Sequence, residues 1–336
     1  MRGLTLFLVA TAALAAIDGT VINRTTGKPQ SGATVVLFRL GDAQGMAPTG
    51  SATTDASGRF AIDQVAGGPV LLQATHDGVA YSHMVQAGSP ATGILIEVFN
   101  VSRQPVGVKL SQHMLLLEPA AKEMVVNETY IFQNSGTTTF RDASAGTLKF
   151  YLPASAKGIV QVTATAPKGM PIRRNAEKTA QADVYKLDFP IKPGETKIDL
   201  AYLVPLGSPA TFEGRTIEKG APARLIVPSG VVVRGEGVES LGQEPTLKAN
   251  VYGVSRESYK VELEGTGSLR ASAEPAEEGQ GQSFEQILPR VYGNVELILA
   301  LAFSILALGF ALLYKARIPN SVPTRPAKGT DERARR

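Results

Sequence analysis

Apolar residues along most of this chain come in short alternating runs, broken by Gly, Pro, Asp or Ser. IDGTVIN, ATVVLFR, SATT, RFAID, VLLQAT, AYSHMVQ and ILIEVF follow one another between Ile17 and Phe99. Alternation over about four to eight residues marks a half-buried strand, and turn residues between such runs mark a small antiparallel sandwich. From about Pro105 to Pro209 the runs lengthen: VKLSQHMLLLEP, MVVNETYIFQN, GTLKFYLP, IVQVTATAP, ADVYKLDFP and TKIDLAYLVP. Tyr130 and Phe132 fall on one face of their run, Thr129 and Ile131 on the other. Asn134-Ser135-Gly136 and Lys192-Pro193-Gly194-Glu195 read as turns. The pattern predicts an immunoglobulin-like or fibronectin-like sandwich. ARLIVPSGVVVRG, LKANVYGVS and YKVELEG then run from Thr211 to about Gly265. They either complete that sandwich or form another, with a boundary near 205–211. The expected fold class is all-β.

Two apolar segments do not alternate. MRGLTLFLVATAALAA has a single positive residue, a short apolar core and small residues around Ala15. That is the layout of a secretory signal peptide over 1–16, too short to span a bilayer. From Leu297 to Leu313 only Ser304 and Gly309 are not strongly apolar. Val295 to Tyr314 as a helix would span about 30 Å, the thickness of a hydrocarbon core. A transmembrane helix is expected over 293–314, with Tyr292 and Tyr314 at the interfaces and Lys315 and Arg317 just beyond. Between the strands and this helix, residues 266–290 are rich in Gly, Glu, Gln, Ala and Ser and read as a flexible acidic stalk. The expected topology is single-pass, with the exported part in the periplasm or outside the cell and the tail of 315–336 in the cytoplasm.

Charge sharpens this layout. The formal net charge is +4, but the tail alone holds seven Lys/Arg against two Asp/Glu. Setting aside Arg2 as well, the remainder carries 26 basic and 28 acidic residues. The exported part therefore offers no basic surface for nucleic acid. The absence of Cys excludes disulfides, thiolate metal sites and a Cys nucleophile.

The first stretch carries two separately spaced motifs. Gly19-Thr20-Val21-Ile22-Asn23, Thr26-Gly27-Lys28-Pro29 and Gly32-Ala33-Thr34-Val35 form one. Thr54-Asp55-Ala56-Ser57-Gly58-Arg59-Phe60 with Gly67-Gly68 and Gly78 forms the other. Together they resemble the carboxypeptidase regulatory-like domain, a transthyretin-like or prealbumin-like sandwich, over 17–99. Val70 stands where that family usually has an aromatic. The resemblance implies a module that accompanies carboxypeptidases without performing their chemistry. Locally, Gly58 permits the chain to reverse, Asp55 is expected to bond the backbone of its own turn, and Phe60 to fill the core. LDFPIKPGETKIDLAYLVP resembles a surface-module pattern with a Pro-Gly-Glu turn before an alternating strand.

Catalytic patterns are sparse. The three His (His76, His83 and His113) start no HxxE or HExxH, and there is no GxSxG, GxxxxGK[ST] or GxGxxG leading into a helix. His76-Asp77 is a conceivable metal pair, but Asp77-Gly78 reads as a turn. Neither a catalytic residue nor a cofactor or metal site is expected. Sugar binding needs exposed aromatic faces, and with no Trp the candidates are Tyr81, Tyr130, Tyr151 and Tyr202. Arg173, Arg174 and Lys178 form the one local cationic cluster of the exported part. They and Tyr81 are the candidate partner contacts. The expected function is that of a non-enzymatic, membrane-anchored extracytoplasmic protein of a bacterial cell envelope. It would bind or scaffold another envelope protein through strand edges and loops. The alternatives are polysaccharide binding and an accessory role in a membrane complex, the latter from small residues Ala302, Ser304, Ala307 and Gly309 along the expected helix.

Overall fold

The computed structural model describes residues 17–40, 46–64, 68–120, 122–245 and 248–268. The expected signal peptide, transmembrane helix, basic tail and nearly all of the stalk lie outside the described residues. Among the described residues all regular structure is β, and no helix is long and apolar enough to cross a membrane.

The first region has strands β1 (Ile17–Asn23), β2 (Lys28–Pro29), β3 (Thr34–Arg39), β4 (Ala47–Thr53), β5 (Arg59–Ile62), β6 (Val70–His76), β7 (Val79–Val85) and β8 (Ile94–Val98). One sheet is ordered β2-β1-β5, with β8 parallel to β1, and the other β4-β3-β6-β7. Alternate residues turn inward: Ile17 and Val21 from β1, Val35 and Leu37 from β3, Leu72 from β6 and Ile96 from β8. Phe60 fills this core at 4% exposure. The Asp55 loop does what its residue types predict. Asp55 Oδ1 accepts the main-chain N–H of Ser57 and of Arg59, both at 2.8 Å. Gly58 has φ 72°, and a Cβ there would lie 2.6 Å from the Val21 carbonyl oxygen. Only Gly satisfies both demands.

The second region has β9 (Val101–Ser102), β10 (Val108–Pro119), β11 (Glu123–Asn134), β12 (Thr139–Phe140), β13 (Leu148–Tyr151), β14 (Lys157–Thr165), β15 (Ile172–Arg174), β16 (Glu177–Lys178), β17 (Val184–Leu187) and β18 (Gly194–Pro205). It continues through β19 (Ala210–Arg215), β20 (Ala223–Pro228), β21 (Val231–Gly235), β22 (Val238–Glu244), β23 (Ala249–Val254) and β24 (Ser258–Gly265). An eight-stranded sheet runs β15-β14-β18-β11-β10-β20-β23-β22. Two three-stranded sheets, β13-β17-β16 and β19-β24-β21, share one continuous apolar core with it. Parallel pairing of β10 with β20, from His113↔Ala223 to Leu116↔Ile226, carries the large sheet across the boundary expected near 205–211. Of the strands from Ala210 onward, β20, β22 and β23 thus extend the large sheet, while β19, β21 and β24 form a small sheet that shares its core. Tyr130 and Phe132 share a face, as their alternation predicts, and that face turns inward.

Candidate functional site

Polar side chains gather in two places. The first is the junction between the two β regions. Asp77 and Gly78, with φ 48° and 72°, form the tight turn joining β6 to β7. Both being left-handed is the geometry of a two-residue hairpin loop, which Asp-Gly favours. Asp77 Oδ2 then accepts the N–H of Val101, and His76 Nε2 lies 3.1 Å from Asn100 Oδ1 and 3.3 Å from Asn23 Nδ2. Both residues of the conceivable metal pair are therefore engaged in the turn and the junction.

The second region grips this hairpin. Lys192 Nζ donates to the Ala80 carbonyl at 2.5 Å and sits 4.8 Å from the centre of the Tyr81 ring. The Tyr81 hydroxyl is bonded to the Phe99 carbonyl at 2.9 Å and to Thr139 Oγ1 at 2.8 Å. Arg141 holds Asp188 with Nε and Nη2 and donates from Nη1 to the Gly78 carbonyl. Enclosure of the Lys192 amine lowers its pKa to about 8, because burial disfavours the ammonium. Burial likewise raises the Tyr81 phenol.

The second gathering lies inside the second region. Glu128 on β11 is 3% exposed, and its Oε1 accepts from Tyr130 hydroxyl at 2.5 Å and His113 Nε2 at 2.7 Å. Its Oε2 accepts from Tyr202 hydroxyl at 3.3 Å. The His113 ring stacks on Tyr130 with centroids 4.3 Å apart, and its Nδ1 has no hydrogen-bond partner. Burial first, and the nearby Glu128 carboxylate second, push the Tyr130 and Tyr202 phenols well above their usual range. Tyr259 rises for the same reasons in the same order. A carboxylate with three donors is stable in an apolar core.

Tyr81 and the cationic cluster part company. Tyr81 is 4% exposed and belongs to the junction, which corrects its expected place among the surface partner contacts. Arg173, Arg174 and Lys178 are exposed, but on two different sheets. Arg173 and Arg174 lie on β15, at the edge of the large sheet, and Lys178 on β16, at the edge of a small one. Arg174 lies 5.7 Å from the centre of the Phe189 ring. Of the candidate sugar-binding tyrosines, Tyr81, Tyr130 and Tyr202 are buried. Tyr151 is partly exposed and lines an open cleft with Glu213, Arg215, Ser258 and Lys260. Sequence reasoning missed Glu128 and Lys192. Glu128 carried a signal, since it falls in phase with the core residues Met124, Val126, Tyr130 and Phe132.

Comparison with known protein families matches residues 16–96 to the carboxypeptidase regulatory-like domain. No curated protein matches the chain. Among solved structures, a mutant M1 zinc metallopeptidase from Deinococcus radiodurans is similar at 13% identity and a TM-score of 0.25, over 46% of this chain and 42% of that one. That likeness is too slight to carry a fold or an activity across. The family match falls on the first β region, with its Asp55 turn and Gly58 in place, and residues 16–96 are thus similar to a carboxypeptidase regulatory-like domain.

Proposed function

We propose that this chain is a non-enzymatic, membrane-anchored extracytoplasmic protein that binds or scaffolds a partner in a bacterial cell envelope. The junction is the observation that carries the reading. Lys192, Arg141, Thr139 and Tyr81 are spent on joining the two β regions, so the pair presents one continuous surface. The other polar gathering, around Glu128, is enclosed in a core, where reacting groups need access to substrate. Sheet edges remain, and these recruit other polypeptides by main-chain hydrogen bonding. A polysaccharide partner has less support, because three of the four candidate tyrosines are buried.

The test is cross-linking of the full chain in its native membranes, followed by purification and mass spectrometry. Recovery of one envelope protein in stoichiometric amount is expected. A chain that runs as a clean monomer, with no cross-linked partner, would overturn the reading.

A further inference from the structure

Three sheet edges among the described residues are protected. β4 contains Pro48 and a register break between Leu37 and Phe38. β22 has a break between Ser240 and Gly242 and carries Glu239. β8 carries Glu97, paired with Arg24. Breaks, prolines and charges all discourage another strand from adding.

β7 has none of these. Its sequence is VAYSHMV, and it pairs with β6 without interruption from His76↔Val79 to Val70↔Val85. In an antiparallel ladder the N–H and C=O of one residue point to the same side, and successive residues alternate. The Ala80 carbonyl is turned away from β6, since it accepts from Lys192. Ser82 and Met84 are in phase with Ala80, so their N–H and C=O groups also point outward. No main-chain bond from another described segment reaches them.

An apolar row leads to this edge. Across the outer face, Pro48 pairs with Phe38, Phe38 with Leu71, and Leu71 with Met84. Leu71 is 6% exposed yet is not part of the sandwich core, while Met84 is 41% exposed. The row thus ends at an exposed methionine beside unpaired main-chain groups. Thioether side chains adapt to varied apolar partners.

We infer that β7 is the docking edge for a short extended segment of a different polypeptide, which adds as a fifth strand beside Ser82 and Met84. This deepens the partner-binding reading above and rests on it. The chemistry selects the occupant. Outward N–H and C=O groups repeating at every second residue match the spacing of an extended polypeptide backbone, whereas a helix has bonded its own groups internally. The residue of the incoming strand beside Met84 is apolar, because it extends the row from Pro48. Lys192 occupies the Ala80 carbonyl, so the added strand is confined to the Ser82–Val85 end.

The test places photoreactive benzoylphenylalanine at Ser82 in the full chain, in native membranes. The same probe at Glu239 on β22 and at Arg173 on β15 samples two other edges. The expected result is an adduct from Ser82 to one segment of another polypeptide, mapped by mass spectrometry. Met84→Pro should reduce that adduct about tenfold, since it removes an outward donor, whereas Met84→Leu should keep it. The lost N–H faces away from β6, so the ladder is untouched; Met84→Glu gives the same loss by a second route should Met84→Pro lower the melting temperature. An adduct from Glu239 or Arg173 but not from Ser82 overturns the edge assignment and leaves the partner reading standing. An adduct from Ser82 that Met84→Pro and Met84→Glu leave intact, or one formed with another copy of this chain, also overturns the assignment. No adduct from any position defeats both.

Discussion

The two β regions solve the same packing problem with opposite chemistry. In the first, no charged side chain is buried among the described residues, the buried polar groups are Asn23 and Thr54, and precision comes from backbone geometry at its turns, as at Gly58. In the second, the carboxyl group of Glu128 sits in the core and ties β10, β11 and β18 together through His113, Tyr130 and Tyr202. An apolar core tolerates repacking, whereas a buried polar cluster fails when one member is lost. The first region should therefore be vulnerable at its glycines and the second at its carboxylate.

The largest effect should come from Glu128→Leu. It leaves the donors of His113, Tyr130 and Tyr202 buried without an acceptor, and should destabilise the second region by about 3–5 kcal/mol. Thermal unfolding measures it, and a change below about 1 kcal/mol would show that the cluster does not hold the core. In the first region, Gly58→Val should cost about 2–3 kcal/mol through a left-handed φ and a collision with the Val21 carbonyl. Gly27→Ala has the same φ of 72° and nothing within 4 Å of the added Cβ. It should cost only about 1 kcal/mol, so equal losses at the two glycines would remove the close approach from the account.

The junction supplies a pH test. The Lys192 amine titrates at about 8 in the folded protein against 10.5 when free, so the unfolded chain holds that proton more tightly. Stability is reduced below pH about 8, and the deficit disappears as pH rises toward 10.5. Comparing the protein with Lys192→Met isolates this from tyrosine ionisation. The wild type should gain about 2–3 kcal/mol relative to the variant across that window, by denaturant titration. A difference that stays flat with pH would mean the amine is not enclosed. The smallest effect belongs to Arg173→Ala and Arg174→Ala, exposed on an edge strand, which should each shift stability by less than about 0.5 kcal/mol.

The first region was legible because its constraints are local. A turn that needs Asp55 to cap it and Gly58 to bend it leaves those residue types at fixed offsets. Strand alternation also put Tyr130 and Phe132 on one face of β11, though not which face turns inward. The junction and the buried cluster were not legible. Lys192 meets Ala80 and Glu128 meets Tyr202 across long stretches of chain, and no spacing rule joins such pairs. Tyr81 shows the limit well: its alternation gave a half-buried strand position, but only the packing of Thr139 and Lys192 over it decides what it faces.

The parallel ladder between β10 and β20 bears on how the chain acquires its structure during synthesis. The first region has its complete set of strands by Val98 and can fold as soon as that length is available. β10 must wait for its partner until Ile226 has been made, and β24 closes the last small sheet later still. Distant pairings of this kind form slowly, because the chain loses freedom before the contact forms. Meanwhile β10, already paired with β11, stands with its other edge unfilled, which is when a chain is most prone to aggregate. The first region is then a folded head start, and the second is the part whose folding waits on contacts between distant strands.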